Sequence, residues 1–228
     1  MTPQAIAAIE ACVFDAYGTL FDVASAAHNC IDVLGNKADM LATQWRTAQL
    51  QYTWLRSLMG VHADFWQVTG EALDYAMDVV GISDDALRTR LMDLYLVLAT
   101  YPDAKIALKT IRRSERPTAI LSNGSPKMLA AAVQSADLGA LLDHVLSVEE
   151  VGIYKPHPRV YQLAVDRLHV TAEHICFVSS NGWDVAGASA FGMKAVWVNR
   201  SNSKRERLPA GPTAEISRLD ELPALLGA

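Results

Sequence analysis

Short apolar runs that end in small or polar residues recur along the chain, and stretches of helical character separate the later ones. The runs occupy residues 12–14, 118–121, 144–148, 175–178 and 195–198. The stretches of helical character occupy residues 126–136, 158–168 and 185–192. Continuous apolar runs of this length are typical of strands buried in a parallel sheet. Their alternation with helices predicts a doubly wound, mainly parallel α/β core of the Rossmann-like class.

A long segment without proline separates the first apolar run from the second. After Pro3 the next proline is Pro102, which favours a helical region between them. Within it, three glycines fall at intervals suited to helix ends, and four apolar residues form a stripe with helical spacing. The glycines are Gly35, Gly60 and Gly81, and the stripe is Ala48, Tyr52, Leu55 and Met59. We therefore predict a helical bundle over about residues 24–99, inserted after the first strand.

This pattern predicts two units in one chain. The α/β core domain is expected to contain residues 1–21 and 100–228, and residues 22–99 are expected to form a helical cap subdomain. Near the C-terminus, the polar segment "NRSNSKRERLPAGP" is predicted to be a solvated loop.

Composition and charge limit the classes of partner. With 228 residues, of which 51% are hydrophobic, the chain can bury a full core. The net charge of -5 and the absence of a long Lys/Arg run argue against nucleic acid or an anionic membrane, and no apolar stretch is long enough to span a bilayer. Residues 1–11 lack the charged start of a secretory signal, and the three cysteines form no C-x-x-C pair. We expect a cytoplasmic protein with a small-molecule ligand.

Polar side chains follow several of the predicted strands. The first strand ends in Asp15, the second in "SNGS" at residues 122–125, and a later one in "SSNGWD" at residues 179–184; Lys155 lies in "YKPHP", before a helix. Each segment alone has a structural explanation, because such sequences are good turns and helix N-caps. Ligands of parallel sheets, however, bind beyond the carboxyl ends of the strands. Together the four segments therefore predict one polar cleft at that edge.

Six sequence motifs carry a resemblance to a known family. They are "FDAYGTLFDV", the pair Trp45 and Arg46, "QYTWLRSLM", "ILSNGSP", "YKP" with Tyr161, and "VSSNGWD". With them the chain resembles the L-2-haloacid dehalogenases of the haloacid dehalogenase superfamily over nearly its whole length. The resemblance implies hydrolytic dehalogenation of short-chain L-2-haloacids to D-2-hydroxy acids. It also implies a small-molecule 2-haloacid substrate, a halide product and a homodimer.

Tyr17 separates this chain from the phosphatases of the same superfamily. In those enzymes a second Asp stands two residues after the nucleophilic Asp and acts as an acid/base, and an acidic pair in the last motif helps to hold Mg²⁺. A phenol is a poor general acid at neutral pH. The last motif here offers Ser179, Asn181 and Asp184, which is too few carboxylates for a dedicated Mg²⁺ site. Displacement of halide needs neither a metal nor a proton donor, because halide leaves as a stable anion.

The resemblance implies the following catalytic roles. Asp15 is expected to attack C2 of the haloacid opposite the halogen, which inverts that carbon and forms an ester; water then attacks the ester carbonyl. Lys155 is expected to keep Asp15 in its charged form and to orient it, and Thr19 to fix its side-chain rotamer. A further group is expected to position and activate the hydrolytic water: Ser179, Asn181 and Asp184.

The resemblance also implies how the substrate is held. Ser122, with backbone N–H groups near Tyr17, is expected to bind the substrate carboxylate. Arg46 and Asn123 are expected to receive the departing halide. An apolar wall around C2 and the halogen is expected from Tyr17, Leu50, Phe65 and Trp183, with Tyr161 as a further substrate-binding residue.

Other ligands find little support in the sequence. The six histidines are scattered singly, and no zinc-type cluster, G-x-G-x-x-G motif or Walker A motif is present. No metal and no cofactor are therefore expected. Three hypotheses remain from different classes: a dehalogenase, a small-molecule phosphatase of the same superfamily, and a catalytically silent binding protein.

Overall fold

The computed structural model of the chain describes residues 5–227, and its central feature is a parallel sheet of six strands. The strands are β1 (Ala11–Phe14), β2 (Thr118–Ser122), β3 (His144–Ser147), β4 (Ile175–Ser179), β5 (Lys194–Val198) and β6 (Ala214–Ile216). Their order is β3-β2-β1-β4-β5-β6, and every neighbouring pair is parallel. Strands β1, β2 and β4 are buried along their whole length. The doubly wound class predicted from the apolar runs is confirmed.

All five predicted strands are present, and their ends differ from the predicted ones by one residue at most. The sixth strand, β6, was not predicted. It has three residues, and the exposed Glu215 interrupts its apolar character, so no apolar run marks it in the sequence. It forms because the edge of β5 pairs with it, through Val198 opposite Ile216.

Five helices lie between β1 and the next element of the core. They are α1 (Ser25–His28), α2 (Ile31–Leu34), α3 (Ala38–Met59), α4 (Phe65–Val79) and α5 (Asp85–Leu96). Asp64 and Asp84 cap α4 and α5 by accepting hydrogen bonds from backbone N–H groups of the first turn. The glycine-marked helix ends are confirmed; Gly60, for example, ends α3 in the left-handed conformation, with φ of 68°. The helical insert after the first strand is thus confirmed.

The predicted apolar stripe on α3 is only partly correct. Ala48 is buried and Tyr52 is half-buried, but Leu55 is 51% exposed and Met59 is 64% exposed. The last turns of α3 therefore present apolar side chains to solvent in the single chain.

The remaining helices belong to the sheet layers. They are α6 (Pro102–Arg113), α7 (Pro126–Ser135), α8 (Pro158–Leu168), α9 (Gly182–Phe191) and α10 (Leu222–Leu225), with short 3₁₀ turns at Gly35–Lys37, Gly139–Leu141, Val148–Glu150, Ala172–His174 and Leu219–Glu221. Helix α9 begins three residues before the predicted start, so Trp183 and Asp184 lie in its first turn. No helix within residues 5–227 is long and apolar enough to cross a membrane.

The sheet order sets the position of the polar residues. Because β2, β1 and β4 are neighbours, the ends marked by Ser122, Asp15 and Ser179 meet at one edge, and the insert starts just after β1. The division into a core of residues 1–21 and 100–228 and a cap of residues 22–99 remains a prediction, and its outer limits at residues 1 and 228 lie outside the described residues.

Candidate active site

Asp15 stands at the centre of the site, immediately after β1, with a side chain that is 8% exposed. Its Oδ2 atom accepts hydrogen bonds from Asn181 Nδ2 at 2.8 Å, Thr19 Oγ1 at 3.0 Å and Ser179 Oγ at 3.2 Å. Its Oδ1 atom accepts from Lys155 Nζ at 3.1 Å. The two carboxylate oxygens therefore differ: one has three donors, and the other faces an ammonium group.

Lys155 is the cation between two buried carboxylates. Its Nζ atom lies 3.1 Å from Asp15 Oδ1 and 2.8 Å from Asp184 Oδ2, and its side chain is 1% exposed. Burial alone would lower the pKa of Lys155, but the charges of the two carboxylates outweigh it and raise that pKa above its ordinary value. The two carboxylates therefore favour the charged, ammonium form of Lys155.

Asp184 is a carboxylate whose protonation changes near neutral pH. It is fully buried in the first turn of α9, and burial raises its pKa to about 6, although Lys155 acts in the opposite direction. Tyr161 donates a hydrogen bond from its hydroxyl to Asp184 Oδ1 at 2.7 Å. Burial and the charge of Asp184 raise the pKa of Tyr161 well above its usual value, so the phenol remains a donor. A carboxylate with such a pKa is suited to act as a general base.

The turn after β1 is tied to the turn after β4. Gly18 has φ of 90°, which favours glycine, and its carbonyl accepts a hydrogen bond from the Ser180 hydroxyl. Thr19 uses its hydroxyl proton on Asp15 and accepts the backbone N–H of Ser180 at 2.9 Å. The rotamer of Thr19, and through it the position of Asp15, is thus fixed by two separate strands.

Arg46 reaches the site from helix α3 of the insert. Its Nη1 atom donates to Gln49 Oε1 at 2.8 Å, and its Nη2 atom donates to Tyr17 O at 3.3 Å and to Asn181 Oδ1 at 3.4 Å. Asn181 in turn donates to Asp15. Arg46 is therefore a half-buried cation that contacts both the turn after β1 and Asn181.

Tyr17 forms part of an aromatic cluster beside Asp15. Its ring centroid lies 5.8 Å from that of Phe65 and 5.5 Å from that of Tyr95. Burial raises the pKa of Tyr17 far above its usual value, and its hydroxyl has no hydrogen-bond partner within residues 5–227. Tyr17 is therefore an uncharged wall residue with no capacity for acid/base chemistry near neutral pH.

Ser122 and Asn123 occupy the end of β2. The Ser122 hydroxyl accepts the backbone N–H of Gly124 at 3.0 Å, and Asn123 Oδ1 accepts the backbone N–H of Lys155 at 3.1 Å. A Cβ atom on Gly124 would lie 2.7 Å from the Tyr17 ring, so the glycine of "SNGS" allows the aromatic wall to pack there. The segment "SNGS" is thus in contact with the backbone of Lys155 and packs against the ring of Tyr17.

Leu50 and Trp183, two of the residues predicted for the apolar wall, lie on α3 and α9. Leu50 is half-buried on α3, one turn beyond Arg46. Trp183 is half-buried in the first turn of α9, and its ring packs edge-on against Trp54 of α3 at 5.5 Å. Trp183 therefore connects α9 with the insert.

Gln49 and Tyr95 are among the residues of the hydrogen-bonded network that the sequence analysis missed. Gln49 and Tyr95 are buried in the insert and bond to each other, and Gln49 bonds to Arg46. The spacing of Arg46 and Gln49, three residues apart on one helix, could have indicated their contact. Tyr95 lies on another helix, and nothing in the sequence links it to Gln49.

The prediction that the segment after β5 is a solvated loop is wrong for Arg200, whose guanidinium is bonded to the core. Asp103 accepts from both guanidinium nitrogens of Arg200, at 2.7 Å and 3.1 Å, and Arg200 also donates to Thr19 O at 3.1 Å. The guanidinium carbon lies 3.9 Å from the ring centroid of Tyr101. The segment 201–209 is exposed as expected, but Arg200 is held because a buried carboxylate and an aromatic face are both within its reach.

Within residues 5–227, no three His, Cys, Asp or Glu side chains form a group that could hold a metal ion. The buried carboxylates Asp15 and Asp184 both bond to Lys155, which lies between them.

The chain matches a known protein family over most of its length. The model of the haloacid dehalogenase-like hydrolases, a hydrolase family, matches residues 9–192. The chain belongs to the haloacid dehalogenase-like hydrolase family. This hydrolase is also 48% identical over 219 residues to (S)-2-haloacid dehalogenase 1 of Pseudomonas sp. strain CBS-3, covering 96% of each chain. The resemblance carried by the sequence motifs is thereby confirmed.

Solved structures place this hydrolase in the same group. It is similar to a crystal structure of a dehalogenase with a TM-score of 0.95 and 44% identity, over 97% of this chain and 99% of that one. It is also similar to the L-2-haloacid dehalogenase of Xanthobacter autotrophicus with chloropropionic acid covalently bound, with a TM-score of 0.90 and 37% identity, over 96% and 99% of the two chains. The hydrolase thus shares its whole architecture, including the helical insert, with dehalogenases.

Proposed function

We propose that this hydrolase releases halide from short-chain L-2-haloacids and forms D-2-hydroxy acids through an ester between Asp15 and C2 of the substrate. The proposal rests on the surroundings of Asp15. Its carboxylate is buried and paired with the charge of Lys155. Tyr17, two residues later, cannot serve as an acid/base because burial raises its pKa. The covalently bound chloropropionic acid in the Xanthobacter autotrophicus relative supports a covalent step in this fold.

In the first step, Asp15 Oδ1 forms a bond to C2 while the carbon–halogen bond breaks. The halide leaves with the bonding electron pair, and attack from the opposite side inverts C2. Oδ1 is the proposed nucleophile because the three donors on Oδ2 occupy the lone pairs of that atom. Arg46 and Asn123 receive the halide, and Ser122 with nearby backbone N–H groups binds the substrate carboxylate.

In the second step, water attacks the carbonyl carbon of the Asp15 ester. Asp184 accepts a proton from this water and returns it to the departing hydroxy acid, a task that its pKa of about 6 supports. The ester oxygen leaves with the product, so the new hydroxyl oxygen comes from Asp15 and the water oxygen remains in the carboxylate.

The donors around Oδ2 give Ser179 and Asn181 a role different from the one expected from the sequence. Oδ2 becomes the carbonyl oxygen of the ester, and negative charge develops on it when water adds. Thr19, Ser179 and Asn181 already donate to this atom, at 2.8–3.2 Å. We propose that they form an oxyanion hole for hydrolysis of the ester, while Asp184 alone activates the water.

The proposed reaction requires no metal ion. Lys155 supplies a fixed positive charge between Asp15 and Asp184, at the position where a cation would balance the two carboxylates. Halide needs no protonation to leave. Protein side chains and water therefore supply every group that the two proposed steps need.

One assay tests the proposal against the phosphatase alternative. Halide release from L-2-chloropropionate and phosphate release from a small phosphomonoester are measured in parallel, with Mg²⁺ and with excess EDTA, and Asp15→Asn serves as the control. We expect halide and D-lactate in equal amounts, undiminished by EDTA and absent with Asp15→Asn. Phosphate release that depends on Mg²⁺ would favour the phosphatase, and silence in both assays would favour a binding protein.

We also propose that the enzyme is cytoplasmic and acts as a homodimer. Its three cysteines are buried free thiols, as a reducing compartment allows. The end of α3 and the loop after it expose four apolar side chains that a second copy could cover: Leu55, Leu58, Met59 and Val61.

A further inference from the structure

Gln49 is the most completely bonded polar side chain inside the helical insert. It is 1% exposed, and its amide connects three helices. Its Oε1 atom accepts from Arg46 Nη1 at 2.8 Å and from the Tyr95 hydroxyl at 3.2 Å, and its Nε2 atom donates to Thr69 Oγ1 at 2.8 Å and to the Tyr95 hydroxyl at 3.1 Å. A buried amide is costly unless its groups are bonded, and here both ends are satisfied.

The orientation of the Gln49 amide follows from its neighbours. Thr69 donates its hydroxyl proton to the carbonyl of Phe65 at 2.6 Å, so its oxygen can only accept from Gln49. The amide nitrogen of Gln49 must therefore face Thr69, and its oxygen faces Arg46. Burial raises the pKa of Tyr95, which keeps its hydroxyl a donor toward that oxygen. If the amide were reversed, the N–H groups of Gln49 would face the N–H groups of Arg46, and no hydrogen bond could form between them.

This orientation decides where Arg46 points. The bond from Arg46 to Gln49 is 2.8 Å, whereas its bonds to the core, at Tyr17 O and Asn181 Oδ1, are 3.3 Å and 3.4 Å. The guanidinium is therefore held mainly from the insert side. Trp45 adds to the rigidity of this helix, because its ring N–H donates to the carbonyl of Thr69 at 2.8 Å.

We infer that Gln49 is a positioning residue that holds the Arg46 guanidinium beside Asp15 for its interaction with the halide, and that Tyr95 and Thr69 fix the Gln49 amide for this purpose. The inference rests on the proposed function, in which Arg46 receives the halide. The hydrogen bonds of the Gln49 side chain go to Arg46, Thr69 and Tyr95 and not to Asp15, so the proposed effect on the reaction passes through Arg46.

A double-mutant cycle tests this dependence. Gln49→Met, Arg46→Met and the double variant are compared with the parent enzyme, using L-2-bromopropionate because its good leaving group keeps low rates measurable. We expect Gln49→Met to lower kcat/KM about tenfold in the parent and less than twofold in the Arg46→Met background, since groups that act through each other are not additive. The melting temperature of each variant is recorded, so that a loss of folding is not counted as a loss of positioning. Thr53→Val, which removes a buried hydroxyl one turn farther along α3, is the matched control and should stay within twofold of the parent.

Chloride inhibition provides a readout that a purely structural role would not change. Gln49→Met removes the oxygen that accepts from Arg46 Nη1 without adding a charge, so we expect the inhibition constant of chloride to rise at least fivefold in the parent and to change less than twofold in the Arg46→Met background. Tyr95→Phe removes one donor to the Gln49 oxygen without changing the packing volume, and it should reduce kcat/KM two- to fivefold in the parent alone. This variant keeps the test decisive if Gln49→Met does not fold.

The possible failures can be told apart. If Arg46→Met retains the activity of the parent, Arg46 has no part in the reaction, and both its role in the proposed function and this inference are wrong. If Arg46→Met is impaired but Gln49→Met and Tyr95→Phe cause equal losses in both backgrounds, the proposed function stands and the inference is overturned.

Discussion

Asp15 and Asp184 share one ammonium group, yet their other partners suit them to different tasks. Asp15 receives three hydrogen bonds on Oδ2 and presents Oδ1, whereas Asp184 is enclosed, and Tyr161 and Lys155 are its hydrogen-bond donors. The first arrangement suits a nucleophile with a fixed direction of attack. The second suits a base, because burial brings the pKa of Asp184 to about 6.

The rate of ester hydrolysis should therefore depend on pH. Because the pKa of Asp184 is raised, its protonated form persists to higher pH than in a free carboxyl group, and the base is lost as pH falls through about 6. The ester removes the charge of Asp15, which contributes to the raised pKa of Asp184, so the inflection should lie at or below 6. We expect the single-turnover rate of ester hydrolysis, followed by rapid quench and mass spectrometry, to be constant above pH 7 and to fall with pH below that inflection.

Asp184→Asn is the control for this pH dependence. It should hydrolyse the ester slowly at every pH, so that the modified peptide accumulates, and its profile should lack this inflection. A parent enzyme whose hydrolysis rate is flat from pH 8 down to pH 4, while the enzyme remains folded, would contradict the assignment of Asp184 as the base.

At the scale of elements, the buried strands could be predicted because each is a continuous apolar run that ends in a polar residue. The same signal fails for β6, whose three residues are defined by pairing with β5. The start of α9 was also misplaced, since Gly182 and Trp183 resemble a turn, although the backbone N–H groups of Asp184 and Val185 already bond to the carbonyl of Asn181.

The site could be predicted where its residues stand at strand ends and motif positions, as with Asp15 and Lys155. It could not be predicted where contacts join distant segments. Arg200 bonds to Asp103, which lies 97 positions away in the sequence. The residues around Arg200 are rich in charge, and they therefore led to the prediction of a solvent-exposed loop. The bond between Gln49 and Tyr95 could not be predicted either, because the two residues lie on different helices, 46 positions apart.

The pair of Asp103 and Arg200 connects helix α6, the end of β5 and the turn that carries Thr19. Asp103 also accepts the backbone N–H of Leu219 at 2.8 Å, and its side chain is 3% exposed. Asp103→Ala leaves the Arg200 guanidinium without its carboxylate, so we expect a loss of about 3 kcal/mol in the free energy of unfolding, measured by urea titration.

The exposed ion pair of Lys105 and Asp137 is the matched control, because Lys105 lies on the same helix. Lys105→Ala should leave the urea midpoint unchanged, since an exposed pair is screened by solvent. If Asp103→Ala is no less stable than Lys105→Ala, the proposed connection between these elements is wrong.

At the scale of the whole molecule, the exposed end of α3 predicts association. Leu58 is 84% exposed and Met59 is 64% exposed, beside Leu55 and Val61. Large apolar side chains grouped in this way commonly mark an interface. Sedimentation at micromolar concentration should give about twice the chain mass of 24.8 kDa, and Leu58→Asp should shift the protein to the monomer.

Ile106→Asp is the control for that prediction. Ile106 is 55% exposed on α6, away from α3 in the sequence, so this variant should remain a dimer. A parent protein that sediments only as a monomer at the same concentration would contradict the proposal of a homodimer.

The bond that water attacks is the central claim about the reaction. Direct attack of activated water on C2 would also invert that carbon, so the configuration of the product cannot separate the two routes. The origin of the hydroxyl oxygen can, because the ester route takes it from the Asp15 carboxylate.

The most direct measurement is a single turnover in H₂¹⁸O with the enzyme in excess over L-2-chloropropionate. The ester route predicts D-lactate almost free of label and one heavy oxygen in the peptide that contains Asp15, both read by mass spectrometry. Fully labelled lactate with an unlabelled Asp15 peptide would show that Asp15 is not the nucleophile and would contradict the account.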